Sequence, residues 1–265
     1  MRQLIVKTNQ DKNGLVVLDG KDFHYLRQVL RVKTGDMVNL RMPDGTLQNS
    51  TVCKIDDNAK KITLQVCAPT DVIANTALQS TNEIQFSLFQ FIPKPQKLDL
   101  IVRQATECGV KNIIPVISEY AEKGGVAALQ KGKLDRLERI IREARQQSGS
   151  PVETKVFEPV TVEQAIELWN QMKEQAGGEQ NAAGYVLSER SVADSEGLFD
   201  KFRDHKGSAT VAIFCGNEGG ISPDELELLT TKALLHPLHF SVNILRCETA
   251  ALYGIAAIQT AILGF

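Results

Sequence analysis

Apolar and polar positions alternate along this chain in two different rhythms. Over residues 1 to 72, short apolar runs are broken by turn chemistry: MVNLRM, a turn at Pro43-Asp44-Gly45, TLQNSTVCKI, a polar turn DDNAKK, and ITLQV. Turns at such short intervals predict a small β-barrel or sandwich, with one helical piece before it at DFHYLRQVL. The stretch DVIANTALQSTN, Asp71–Asn82, is polar and weakly patterned, as a linker would be. From Glu83 the rhythm changes to alternating strand and helix. IQFSLFQFI, NIIPVIS, YVLSE, VAIF and PLHFSV read as strands. KLDLIVRQATECG, closed by Gly109, reads as a helix, as do KLDRLERIIREARQQSG, TVEQAIELWNQMKEQ, LFDKFRDHK and PDELELLTTKA. In the second of these, Leu134, Leu137, Ile141 and Ala144 fall on one face. This alternation predicts a parallel α/β sheet with its ligand at the carboxyl ends of the strands. The expected division is therefore 1–72 and 73–265.

Two local features stand out. In VAIFCGNEGGISPDELELL, a buried strand meets a glycine-rich turn and a helix opened by a Ser222–Glu225 capping box, with Pro223 in the first turn. Glycines at 216, 219 and 220 allow positive φ and close approach of a ligand to the backbone. The spacing is neither a P-loop nor a dinucleotide fingerprint, and Glu218 would repel an anion. The turn is thus either a cradle for a neutral or cationic ligand or a plain connection. The chain ends in ETAALYGIAAIQTAILGF, which is apolar on nearly every face. Such a helix needs burial all round, inside the core or partly against a second copy of the chain.

Composition narrows the classes. At 265 residues and 43% hydrophobic content the chain can build a proper core. The start, MRQLIVKTNQDKNG, lacks a long apolar segment, and no run reaches the length of a membrane span, so a cytoplasmic protein is expected. Five scattered cysteines without a C-x-x-C pair, and four histidines without H-E-x-x-H, predict neither a disulfide framework nor a metal site. Residues 1–72 hold 11 basic and 8 acidic side chains, against 19 and 24 in the remainder. The first segment is the better candidate for a polyanion, although solvated surface explains its small excess equally well.

A second loop, Asn243-Ile244-Leu245-Arg246-Cys247-Glu248-Thr249-Ala250, precedes the last helix. Taken with the glycine-rich turn and with DLIVRQATECGVKNIIPV, RLERIIREARQQSG and HYLRQVLRVKTGD, it makes the chain resemble the bacterial 16S ribosomal RNA uracil-N3 methyltransferases, the RsmE family of the SPOUT superfamily. The resemblance implies a small PUA-like β-barrel that grips RNA, followed by a SPOUT domain: a parallel α/β sheet whose C-terminal chain forms a trefoil knot. Topology rules alone would have excluded the knot. It also implies a homodimer that binds S-adenosylmethionine and acts on the small ribosomal subunit, with no metal and no membrane.

Carried over by position, the implied cofactor residues are Leu187, Ser188 and Glu189; Gly216, Asn217, Glu218, Gly219, Gly220 and Ile221; and Phe240, Ser241, Asn243, Ile244 and Leu245. Arg246 would stabilise charge on the uracil oxygens or hold a phosphate, and Glu248 or Glu218 would take the N3 proton. At the start of the last helix Glu248 also suits the helix dipole, whatever its chemistry. RNA contacts are expected from Arg27, Arg31 and Lys33, and from Lys94, Lys97, Arg103, Arg139 and Arg142. The chain departs from the family pattern at Asn217, Ser241 and Asn243, where proline, glycine and arginine are usual, and at Gln104, Cys108 and Ser150 on the basic surface. These departures keep two alternatives open: a non-catalytic RNA-binding or assembly factor on the same fold, or a SPOUT methyltransferase with another RNA target.

Overall fold

The computed structural model describes residues 3–67, 84–129, 134–188 and 210–263. The stretches Asp71–Asn82 and LFDKFRDHK, and Glu189, lie outside them. The described residues form two units: those up to residue 67 together with Arg145–Pro151, and the others.

The first unit contains β1 (Leu4–Ile5), β2 (Leu15–Leu18), β3 (Met37–Arg41), β4 (Leu47–Asp56) and β5 (Lys61–Val66), joined in the order β1-β3-β4-β5-β2. Only β1 and β3 run parallel; the other neighbours are antiparallel. Alternate residues such as Val38 and Leu40, or Ile62 and Leu64, turn inward together, as a period of two requires. A register shift between Val52 and Lys54 bulges β4 and bends it. The segment DFHYLRQVL is not one α-helix. It begins as α1 (Gly20–His24) and widens into a π turn, Tyr25–Val29, closed by Leu30 N donating to Tyr25 O at 3.0 Å, before Arg31 turns to φ 54°.

The second unit is a parallel sheet of β6 (Gln85–Phe91), β7 (Asn112–Ile117), β8 (Lys155–Val156), β9 (Val160–Thr161), β10 (Ala182–Leu187), β11 (Thr210–Cys215) and β12 (His236–Leu238). Its order is β12-β10-β11-β6-β7-β8, with β9 also beside β7. The helices are α2 (Pro95–Glu107), α3 (Lys123–Leu129), α4 (Asp135–Ser148, from Arg145 on counted with the first unit), α5 (Val162–Gln175), α6 (Pro223–Thr231) and α7 (Cys247–Leu263). Neighbouring strand residues feed opposite faces. Leu88, Ile113, Tyr185 and Ile213 pack with α2, α4 and α7, whereas Phe89, Ile114, Val186 and Phe214 pack with α5 and α6. The rings of Phe89 and Phe214 stack at 4.2 Å. Strands buried on both sides explain why their sequences are continuously apolar rather than alternating.

Sequence expectation and structure differ at the last strand. PLHFSV reads as a strand through Val242, but β12 ends at Leu238 and the chain from His239 onward is loop. Among the described residues β12 is an edge strand paired only with β10, so none of them extends the ladder past Leu238 on its open side. That early exit positions the site. β11 inserts between β6 and β10, and β10, β11 and β12 release Leu187, Gly216 and His239 at the same end of the sheet.

Candidate functional site

The glycine-rich turn is a rigid structure held from below. Gln90, fully buried in β6, donates from Nε2 to Cys215 O at 3.3 Å and Gly216 O at 3.1 Å. Asn217 is buried as well. Its Nδ2 donates to Ser118 Oγ at 3.1 Å and Ile92 O at 3.4 Å, and its Oδ1 accepts from Gly219 N at 2.9 Å. Gly220 N returns to Asn217 O at 3.1 Å with φ of +79°, a conformation an L side chain resists. At Gly219 a Cβ would lie 2.7 Å from Cβ of Tyr120, so the loop after β7 sits directly on the turn. The capping box then starts α6: Ser222 Oγ accepts from Glu225 N, and Glu225 Oε2 accepts from Ser222 N at 2.9 Å. Glu225 Oε1 also accepts from Glu119 N at 2.8 Å, which fixes Tyr120's neighbour to the same helix.

The second wall follows β12. Ser188 N donates to Leu238 O at 2.9 Å, and His239 Nδ1 meets Ser188 O at 3.2 Å, joining the ends of β10 and β12. A carbonyl oxygen only accepts, so Nδ1 carries the proton of that pair. Phe240 packs edge-on against Tyr253 at 4.9 Å. Beyond it Val242 and Ile244 project into solvent, and Arg246 accepts from Thr249 N and Ala250 N to open α7.

The two walls enclose one cavity of about 560 Å³, inside the range of small-ligand sites. Leu187, Ser188, Gly216, Asn217, Gly219, Gly220, Ile221, Phe240, Asn243, Ile244 and Leu245 of the expected set all line it. Glu218 and Ser241 do not line it, and Glu189 is outside the described residues. Val242, inside the expected stretch from Phe240 to Leu245, lines it too, and sequence reasoning overlooked Tyr120, Pro223, Leu226, His239, Cys247 and Ala250. Tyr120 is 99 positions from Gly219, and only the space that Gly219 leaves could have hinted at an aromatic neighbour. No Asp, Glu, Lys or Arg stands among the lining residues described.

The charged candidates gather behind the cavity instead. Lys97 Nζ lies 3.4 Å from Glu218 Oε1 and 3.2 Å from Glu248 Oε2, and Lys94 N donates to Glu218 Oε1 at 3.3 Å. Cys247 Sγ donates to Glu248 Oε2 at 3.3 Å. Burial opposes the charge on Glu248, but its own backbone N–H, Lys97 and Cys247 outweigh that and hold its carboxyl below the usual glutamate range. Lys97 is raised although desolvation works against it, because Glu248, Cys247 and Glu218 favour the ammonium. Burial, with the neighbouring carboxylates, pushes the Cys247 thiol up to about 12. Arg246 is exposed and forms no ion pair among the described residues.

Of the other basic candidates, Arg27 is held by Asp57 in a two-pronged pair at 2.9 Å. Arg31, Lys33, Lys94, Arg103 and Arg139 are exposed, and Arg142 is partly buried. The described residues hold no His/Cys/Asp/Glu cluster fit for a metal, and no helix among them is long and apolar enough to cross a membrane.

Against known proteins, the model of the RNA methyltransferase domain family matches residues 80–259. The ribosomal RNA small subunit methyltransferase E 2 of Borreliella burgdorferi is 28% identical over 97% of this chain and 96% of its own. The ribosomal RNA small subunit methyltransferase E of Rickettsia conorii is also 28% identical, over 89% of this chain and 85% of its own. Among solved structures, a ribosomal RNA small subunit methyltransferase E from Neisseria gonorrhoeae bound to S-adenosyl methionine superposes with a TM-score of 0.71 over 98% of this chain and 97% of its own. At 22% identity that likeness speaks to the fold. Both walls of the cavity and the strands that release them fall within the matched span, and the chain belongs to the RNA methyltransferase domain family.

Proposed function

We propose that this chain is an S-adenosylmethionine-dependent methyltransferase that modifies N3 of a uridine in the 16S ribosomal RNA of the small subunit. One observation carries the reading: Gly219 and Leu245, from two separate loops, line a single cavity. Near full-length relatives named small-subunit ribosomal RNA methyltransferases, and a neighbouring fold that holds the cofactor, support it. In this reading the second unit has the SPOUT trefoil knot, and the first is a PUA-like domain for RNA with its boundary near residue 72. The protein works as a homodimer in the cytoplasm.

The residues present fit the cofactor. A cavity lined by backbone and neutral side chains suits an adenosine bearing a sulfonium, which needs no phosphate anchor. When bound, the cofactor supplies a methyl group on a positively charged sulfur. The two walls would hold it through backbone groups: Gly220, where a Cβ would meet open space, leaves the backbone bare to the ligand, while Gly216 and Gly219 make room for Gly220 and Tyr120 inside the turn. The chain's main contribution is then alignment of the uracil ring, because placing two reactants correctly removes most of the entropic barrier. Arg246, between two lining residues and unpaired among those described, is free to stabilise negative charge on the uracil oxygens as N3 gives up its proton. Glu248, held ionised and acidic by Lys97, is a weak proton acceptor, and Glu218 shares the same lysine. Uracil N3 is hidden in paired RNA, so the target base must be unpaired or flipped out. Arg31, Lys33, Lys94, Arg103 and Arg139 are the exposed cations placed to meet phosphates.

Incubating labelled cofactor with small subunits that lack the modification tests the proposal. Label should appear at N3 of one uridine by mass spectrometry. Cofactor binding without transfer, across a range of salt, would leave an RNA-binding factor in its place.

A further inference from the structure

Lys97 stands at a junction that neither the RNA-contact reading nor the cavity itself explains. Its ammonium is the shared partner of two carboxylates that belong to opposite walls. Glu218 lies between the lining residues Asn217 and Gly219, and Glu248 follows the lining residue Cys247 at the start of α7. The third direction of the ammonium points at Cys247 Sγ, 3.9 Å away, so all three of its donors are directed into this cluster. The site is half sheltered, with side-chain exposure of 28% for Lys97, 32% for Glu218 and 15% for Glu248. A third strut comes from the same stretch of chain, where Lys94 N donates to Glu218 Oε1.

We propose that Lys97 is a positioning residue for the cofactor cavity: one ammonium, placed outside it, holds the glycine-rich wall and the α7 wall at their working separation. This rests on the cofactor reading given above. Without the lysine, two carboxylates within 3.4 Å of one point would face each other with no cation between them. Like charges in such a partly desolvated place repel, and separation of the two loops relieves that repulsion. A role in gripping RNA phosphate is the competing use of this side chain, and it predicts a different result.

Four forms decide between them: wild type, Lys97→Met, Lys97→Arg, and the triple variant Lys97→Met/Glu218→Gln/Glu248→Gln. Affinity for S-adenosylmethionine by calorimetry should fall about tenfold in Lys97→Met, the scale of a coupled network. It should recover most of that in the triple variant and in Lys97→Arg. Amide hydrogen exchange at residues 216–220 and 244–249, measured without any ligand, should quicken in Lys97→Met and slow again in the triple variant. Unchanged cofactor affinity in Lys97→Met, with weaker RNA binding and a shallower salt dependence, would overturn the proposal and make Lys97 a phosphate contact. Failure of the triple variant to recover either signal would overturn it too, since repulsion would not be the cause. If the wild type itself bound no cofactor, the cofactor reading would fall, and the exchange experiment would still decide whether Lys97 spaces the two loops.

Discussion

Asn217, on the glycine-rich wall of the cavity, is 6% exposed and bonded to Ile92, Ser118 and Gly219. Ile244, on the opposite wall, is 81% exposed. The first wall is fastened by polar groups to the strands beneath it, and its shape is set before any ligand arrives. The second hangs from the Ser188–His239 junction and the Phe240–Tyr253 contact, with Val242 and Ile244 offering apolar surface to water. Exposed apolar side chains beside a cavity gain by covering a ligand or another surface. One wall is therefore a template and the other a cover. Asn217, where the resembled family is expected to have proline, ties the turn down by its side-chain bonds rather than by a fixed φ.

Substitutions can break this contrast. The largest effect is expected from Gly219→Ala, whose methyl would meet Tyr120 Cβ at 2.7 Å. Overpacking of this kind costs about 3 kcal/mol, so both the denaturation midpoint and cofactor affinity should drop sharply. Asn217→Ala comes next. It leaves Ser118 and Ile92 without that partner in a buried place, and should cost about 2 kcal/mol in chemical denaturation. If it proved neutral, the template would owe its shape to the glycines and to Gln90 beneath them. On the cover, Ile244→Ser should move stability by less than about 0.5 kcal/mol while weakening the cofactor severalfold in calorimetry. A large loss of stability there would erase the distinction between the walls.

The smallest effect is a pH dependence of the Lys97 cluster. Glu248 is depressed, so its contribution is present above its ordinary value of 4.5 and lost as pH falls through the lower folded value. Lys97 is raised, so its contribution is complete below its ordinary 10.5 and lost as pH rises past the higher folded value. Between those limits the difference in melting temperature between wild type and Glu248→Gln should stay constant. It should shrink in acid, and a difference that grew there would contradict the pairing.

Much of the architecture was legible in local patterns. The continuous apolar run VAIF announced a buried strand, Leu134, Leu137 and Ile141 marked one face of a helix, and the Ser222–Glu225 box marked where α6 begins. The glycine-rich turn was legible as a candidate cradle because glycine's freedom is a local property, whereas the ILRCETA loop was picked out by the family resemblance; both contribute residues to the cavity wall. The strand ending at Leu238 was not, since its length depends on what lies beside it in the sheet.

From the chain alone came the alternation of strands and helices, the turn chemistry and the choice of residues around two loops, all written in spacings of a few residues. Folding alone decided that Tyr120 backs Gly219, that His239 meets Ser188, and that Lys97 serves Glu218 and Glu248 together. Those partners are between 51 and 151 positions apart. A contact over that distance leaves no periodicity to read, because it is set by the order of strands in the sheet and not by any local preference of the backbone.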